Sequence, residues 1–275
     1  MVLVDEELVV RPLYDHMLCA VHRSPMKIIQ RCQEKIIPFS SNINHMRLIT
    51  VNRTKPNASI EFYGCPMQCK YCSHTSAQYK DHELDKIVQV MSDNGIRSVF
   101  IGGAEPAVHS KEALELIRIL KAKGKEVILK TTGHDPDFVA AAKDKVTRFV
   151  LELKAPLDEP ELLTKLTIYD MERAKEHQEK VRRTLEIMKG SKVRATLRVI
   201  PERYTEDTVE RMAKDLKGYA DELHLIQFMS SQNDVGYAGI YGPGPDQETM
   251  MNFGRVARKH LPRVKVLGNG FDVIL

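Results

Sequence analysis

Apolar and polar positions in this chain switch repeatedly between two periods. Short apolar runs of strand type alternate with stretches in which apolar residues recur three and four apart, the spacing that gathers them on one helix face. Ser59 to Tyr63 alternates enough for a strand, and Gly64-Cys65-Pro66 breaks it into a loop. Glu83 to Asn94 reads as a helix with Leu84, Ile87, Val88 and Met91 on one face, ended by Gly95. Ser98 to Ile101 reads as a buried strand, and Ser110 as the cap of a helix through Leu120, with Glu112 and Glu115 near its positive end. Further strands are expected at Glu126–Thr131, Arg148–Leu153, Val193–Ile200 and Glu222–Phe228. Further helices are expected at Asp135–Ala142, Met171–Met188, Thr205–Leu216 and Gln247–His260. Six strand–helix units in this order predict a parallel sheet with right-handed crossovers.

The flanks read differently. In residues 1–57, Leu18 to Ile36 has helix-like spacing, Pro38, Ser40, Ser41 and Asn42 mark a loop, and Met46 to Val51 reads as a short strand. This section is expected to be an N-terminal appendage without a catalytic motif. Residues 58–262 carry no linker or composition break, and 263–275 end in a strand, Val264 to Leu275.

Composition narrows the class. With 275 residues, 43% hydrophobic and 28% charged, the chain can build one sizeable α/β core. Its net charge of +4 is interspersed, which permits an anionic partner without demanding nucleic acid. No apolar run reaches the length of a membrane span, and Met1 to Val10 carries Asp5, Glu6 and Glu7, unlike a secretory signal. A cytoplasmic, reducing compartment is expected. Of five cysteines, three fall within eight residues; Cys19 and Cys32 lie upstream and none follows Cys72. Disulfides and a second C-terminal cluster are therefore not expected, and Cys19 and Cys32 read as small thiols.

The chemistry concentrates in Cys65-Pro66-Met67-Gln68-Cys69-Lys70-Tyr71-Cys72, a C-x3-C-x2-C run at a strand end. Four thiolates would close a 4Fe–4S cluster; three leave one iron open to an outside ligand, where chemistry rather than electron transfer alone can occur. The competing readings are buried thiols or a zinc knuckle, for which His74 is the nearby fourth ligand. Later strand ends carry further polar motifs. Gly102-Gly103-Ala104-Glu105-Pro106 allows close backbone approach to a ligand. Thr131-Thr132-Gly133 follows Lys130, and Glu152 and Lys154 share one strand face, as an ordinary ion pair or as ligands. Arg198 lies in Thr196-Leu197-Arg198-Val199-Ile200-Pro201, ahead of Thr205-Glu206-Asp207. Met229 ends the sixth strand in Gln227-Phe228-Met229-Ser230, and the glycine-rich Asn233 to Pro245 is a gating loop or a connector.

The cysteine run resembles the signature of the radical S-adenosylmethionine (radical SAM) superfamily, C-x3-C-x-aromatic-C, with Tyr71 at the aromatic position. The resemblance implies that S-adenosylmethionine chelates the open iron of a 4Fe–4S cluster held by Cys65, Cys69 and Cys72. An electron then cleaves it to methionine and a 5′-deoxyadenosyl radical, which takes hydrogen from a substrate. The strand-end motifs over roughly residues 58–232 are similar to those of glycyl-radical-enzyme activating enzymes of the pyruvate formate-lyase activase type. On that pattern Gly102, Gly103 and Glu105 hold the amino group of the cofactor, and Thr132 lies in the matching Thr-Thr-Gly. Glu152 and Lys154 orient the cofactor, Arg198 faces it or a substrate carboxylate, and Met229 packs on adenine where the activase has histidine. Lys130 stands where the activase has an acidic cation ligand.

The implied fold is α/β, a partial parallel (β/α)6 TIM-like barrel with the N-terminal appendage and C-terminal strand. The implied function is hydrogen abstraction, from a protein glycine or from a small molecule, cofactor precursor, peptide or RNA, with ferredoxin or flavodoxin as electron donor. A non-catalytic Fe–S or zinc scaffold is the reading of another class.

Overall fold

The computed structural model describes residues 45–75, 77–228 and 244–275. The expected helix at 18–36, Cys19, Cys32, Met229 and nearly all of the glycine-rich segment lie outside the described residues.

Among the described residues ten strands form one sheet. They are β1 (His45–Thr54), β2 (Asn57–Phe62), β3 (Lys80–Glu83), β4 (Ser98–Gly103), β5 (Glu126–Thr131), β6 (Arg148–Glu152), β7 (Val193–Val199), β8 (Glu222–Gln227), β9 (Val264–Gly268) and β10 (Phe271–Ile274). Their order is β10-β9-β8-β7-β6-β5-β4-β2-β1-β3. Strands β2, β4, β5, β6, β7, β8 and β9 run parallel, and antiparallel pairs close both edges. Seven α-helices are described: α1 (Leu84–Met91), α2 (Ser110–Ala122), α3 (Pro136–Ala142), α4 (Pro160–Leu166), α5 (Met171–Met188), α6 (Glu206–Leu216) and α7 (Gln247–Arg258). This is the expected α/β architecture with parallel strand–helix units.

The central parallel strands each bury an apolar face. Val99, Ile101, Val127, Leu129, Phe149, Leu151, Ala195 and Leu197 are at most 1% exposed and join the apolar stripes of the helices in one core. Several helices begin where a short polar side chain satisfies a free N–H. Asp135 accepts from Phe138 N, Asp170 from Arg173 N, Thr205 from Thr208 N and Asp246 from Thr249 N, each worth about 1 kcal/mol.

Four features differ from the sequence reading. The strand at 45–54 is hydrogen-bonded along β2 and continues the sheet. Polar β3 pairs with β1 as the outermost strand. Ser110 is the first residue of α2 rather than its cap, because a 3-10 turn, Pro106–His109, feeds directly into the helix. The C-terminal segment is a hairpin, β9–β10, turned at Asn269-Gly270, where Gly270 has φ +82°.

Candidate active site at the strand ends

The cysteine loop runs from the end of β2. Cys69 is buried, Cys65 and Cys72 are partly exposed, and none of the three is in a disulfide. The loop is fixed from two sides. Ala104 N donates to Phe62 O and Glu105 N to Gly64 O, both at 3.0 Å, so the glycine-rich loop after β4 is stitched to the cysteine loop by backbone alone. Ala104, which lengthens the Gly-Gly-Glu-Pro pattern, makes the first of these bonds. On the other side Lys70 N donates to Leu166 O at 2.9 Å and Ile168 N to Met67 O at 3.2 Å. The short helix α4 and its exit therefore brace the loop; its seven residues were not expected from sequence.

The carboxylate of Glu105 is wholly enclosed, with 0% exposure. It accepts from Ala107 N and Thr131 Oγ1 on one oxygen, and from Thr132 N and Thr132 Oγ1 on the other, at 2.7–3.3 Å. Glu105 thus fastens the end of β5 to the loop after β4, and Thr132 is held in that bond set. Gly102 and Gly103 lie in front of it. At Gly103, φ is +88° and an added Cβ would come within 2.7 Å of the Glu61 backbone, so only glycine fits.

Strand β6 contributes a charged clamp. Glu152 Oε2 meets Lys130 Nζ at 2.5 Å, while its Oε1 accepts from Lys154 Nζ. Lys154 also donates to the Tyr71 hydroxyl at 2.9 Å. Burial alone would raise the pKa of Glu152, but the two ammonium groups outweigh it and hold the carboxyl well below its usual range. Burial would likewise lower Lys154, and the charges of Cys69 and Glu152 instead hold it well above the ordinary lysine value. Tyr71 stacks edge-on against Phe228 at the end of β8, with ring centres 6.2 Å apart.

On β7, Thr196 lies in register with Glu152. Its hydroxyl is buried and has no partner among the described residues. Arg198, half-buried two residues on, forms no ion pair among them either. The sequence-predicted residues Cys65, Cys69, Tyr71, Cys72, Gly102, Gly103, Glu105, Thr132, Glu152, Lys154 and Arg198 therefore all stand at the C-terminal ends of successive parallel strands, where ligands bind in open α/β sheets and barrels.

His74, considered from sequence as a fourth ligand, makes a link to Glu61 that was unforeseen. His74 follows the cysteine run in a single 3-10 turn, Ser73–Thr75. Its Nδ1 is 3.6 Å from Cys72 Sγ and its Nε2 is 3.5 Å from Glu61 Oε2. Bonds to Cys72 and Glu61 hold the imidazole up at about 9. Burial pushes the Cys65 and Cys69 thiols up, whereas His74 outweighs burial at Cys72 and brings that thiol down.

The donor set, three cysteine thiols in one loop, is that of an iron–sulfur cubane with one iron left open. Among the described residues no three His, Cys, Asp or Glu side chains gather tightly enough for one metal. A cubane instead places each thiolate on its own iron, which suits three cysteines spread along one loop. The Thr196 hydroxyl, in register with Glu152, is a buried polar atom without a partner among the described residues, of the kind a bound polar ligand satisfies.

Comparisons with known proteins bear on the family and the fold. The family model of the Radical SAM superfamily matches residues 60–216. A Methanocaldococcus jannaschii protein, named provisionally as a glycyl-radical enzyme activating enzyme, is 23% identical over 219 residues, spanning 77% of this chain and 89% of its own. Streptococcus suis SuiB bound to precursor peptide SuiA shares the fold at TM-score 0.59 and 14% identity, over 94% of this chain and 57% of SuiB. TYW1 with a lysine-pyruvate adduct shares it at TM-score 0.57 and 13% identity, over 89% of this chain and 92% of TYW1. The chain thus spans little more than half of SuiB. Among the described residues no helix is long and apolar enough to cross a membrane. The family model covers more than half of the chain, which therefore belongs to the Radical SAM superfamily and is an enzyme whose cofactors are a 4Fe–4S cluster and S-adenosylmethionine.

Proposed function

We propose that this enzyme takes a hydrogen atom from a polypeptide, a backbone glycine of a partner protein, and so acts as an activating enzyme. The observation that carries this reading is the likeness to the provisionally named Methanocaldococcus jannaschii activating enzyme along 77% of the chain. A peptide-bound structure among those sharing the fold supports the same class of substrate.

When bound, the cluster and S-adenosylmethionine together supply a 5′-deoxyadenosyl radical. In our reading Cys65, Cys69 and Cys72 hold the cluster. Lys154 pairs with the carboxylate of S-adenosylmethionine, because one buried carboxylate between two ammonium groups leaves net positive charge, and the remaining lone pairs of Glu152 accept from its ribose hydroxyls. Gly102 and Gly103 give the amino group a backbone wall, and Thr132 borders it. Glu105 acts from behind, holding that wall in place, since its oxygens are already occupied. Phe228 and Tyr71 exclude water on one flank, and Arg198 is left to meet a carboxylate of cofactor or substrate. A one-electron donor of ferredoxin or flavodoxin type completes the set.

Anaerobic reconstitution should give about four iron and four sulfide per chain, with S-adenosylmethionine cleaved on reduction. Incubation with a glycyl-radical enzyme should then produce a glycine-centred radical spectrum in the partner. Zinc in place of iron would indicate a scaffold. Cleavage stimulated only by small molecules, with no radical on any polypeptide, would overturn the activating-enzyme reading.

A further inference from the structure

His74 has no place in the cofactor-binding pattern described above, yet it lies between a thiol of the cysteine loop and a carboxylate on the adjacent strand. The turn that follows Cys72 folds the ring back so that Nδ1 is 3.6 Å from Cys72 Sγ. On the other side Nε2 is 3.5 Å from Glu61 Oε2. The side chains of His74 and Glu61 are 31% and 33% exposed, so this chain of contacts is partly withdrawn from water. Glu61 sits on β2, immediately before the loop, and is in register with Gly102 of β4. Its position is therefore set by the sheet and not by the loop. It also feels the positive charge of Lys130, which belongs to the Glu152 clamp.

An iron-bound thiolate and a carboxylate can only accept hydrogen bonds. The imidazole is thus the donor between them. Reducing a cluster adds one negative charge, part of which resides on the ligating sulfurs. An N–H aimed at such a sulfur stabilises the reduced form more than the oxidised one, and hydrogen bonds to sulfur are among the levers that set cluster potentials. A carboxylate behind the other nitrogen fixes the ring orientation, as in the second shells of metal sites.

We propose that His74, clamped by Glu61, is a positioning residue that donates from Nδ1 to the Cys72 sulfur and raises the cluster's reduction potential. The inference rests on the assignment of Cys65, Cys69 and Cys72 to the cluster.

The test is a redox titration of the reconstituted full chain, read from its visible and paramagnetic spectra. In His74→Leu, the ratio of reduced to oxidised cluster at a fixed applied potential should fall about tenfold, or about 59 mV for a one-electron couple. His74→Asn has nearly the shape of leucine but places an amide N–H near the Nδ1 position. It should recover most of that loss. An unchanged potential in His74→Leu, or a His74→Asn potential no better than that of leucine, overturns the proposal. Should His74→Leu retain too little iron to titrate, selective 15N labelling of histidine decides. A nitrogen coupling in the reduced wild-type spectrum that disappears in His74→Asn supports the contact, and absence of any coupling overturns it. Iron and sulfide analysis of the same wild-type sample separates the two levels: without a cluster the cysteine assignment itself fails, whereas a full cluster with an unmoved potential fails only His74.

Discussion

Lys154 Nζ lies 2.9 Å from the hydroxyl of Tyr71, 83 residues away in sequence. The aromatic residue inside the cysteine run is therefore tied to the ammonium at the end of β6. Both groups are almost fully buried, at 5% and 6% exposure of their residues. The bond links the loop that holds the cluster to the strand end assigned here to S-adenosylmethionine, so changes at either residue should be felt at the other.

Two substitutions separate the roles. Tyr71→Phe keeps the ring against Phe228 and removes only the hydroxyl. It should cost about 1–3 kcal/mol in chemical denaturation, as expected for a hydrogen bond to a buried charged group, with iron content unchanged. Lys154→Met removes the ammonium while preserving the stem. It should weaken S-adenosylmethionine binding by at least about tenfold, or about 1.4 kcal/mol, measured by calorimetry on the clustered protein. Unaltered affinity in Lys154→Met would assign the Glu152–Lys154 pair to structure alone.

Gly103 offers a sharper contrast. Gly103→Ala would drive a methyl group to within 2.7 Å of the Glu61 Cα and 2.8 Å of the Phe62 nitrogen, at φ +88°. Backbone cannot yield as a flexible side chain does, so the junction of β2 and β4 must open. Gly124 has a similar φ of +72° but nothing within 4 Å of an added Cβ. Gly124→Ala should cost only about 1–2 kcal/mol of left-handed strain, whereas Gly103→Ala should cost more and also reduce iron loading. Equal melting temperatures for the two variants would show that the close approach at Gly103 is not maintained in solution.

Much of this arrangement could be read from periodicity and punctuation. Helix α5 was legible to the residue because Asp170 caps it and Lys189-Gly190 ends it. Strand ends were legible to within two residues, the expected Ile101, Thr131 and Leu153 standing against Gly103, Thr131 and Glu152. What escaped lacked a periodic signal or depended on distant partners. Strand β3, Lys-Asp-His-Glu, has no apolar alternation and is held by backbone pairing to β1. Helix α4 is only seven residues long, although Pro160 at its start and Leu162, Leu163 and Leu166 on one face were available as cues. The Asn269-Gly270 turn was an overlooked hairpin signal. The enclosure of Glu105 could not be read at all, because its partners Thr131 and Thr132 arrive from the next strand, 26 and 27 residues on.

His177 predicts a dependence of stability on acid. It lies on α5, 6% exposed, with Nδ1 unpartnered among the described residues. Burial, reinforced by His134, Lys154 and Lys180, depresses its pKa from 6.5 to about 3. The unfolded chain therefore takes up a proton at this residue before the folded one does. Its contribution is fully present above about pH 6.5 and is lost as pH falls towards about 3, at up to about 1.4 kcal/mol per pH unit. Denaturant titrations at pH 7.5 and 5.5 should show wild type losing more stability than His177→Met over that interval. Parallel losses in the two proteins would remove His177 as the source.

Lys130 and Glu152 make the most demanding prediction, because removing both charges should cost less than the two single losses added together. The carboxylate, 12% exposed, lies between Lys130 and Lys154. In Glu152→Gln two ammonium groups face each other with no anion between them, and Lys154, only 5% exposed at its side chain, cannot turn to water. In Lys130→Met the carboxylate keeps Lys154 as its partner, so that loss should be smaller, about 1–2 kcal/mol. Breaking a buried pair from one side commonly costs about 3–5 kcal/mol, since it strands a charge, and Glu152→Gln should approach that range. In the double variant Lys154 has no carboxylate but also no opposing ammonium. A cycle of the four proteins in urea should therefore give a coupling energy of about 1–3 kcal/mol, with the double variant more stable than the sum of the single losses allows. Strict additivity would mean that Lys130 is held by solvent rather than by Glu152, and the charge reversal at this strand end would then have no bearing on the clamp.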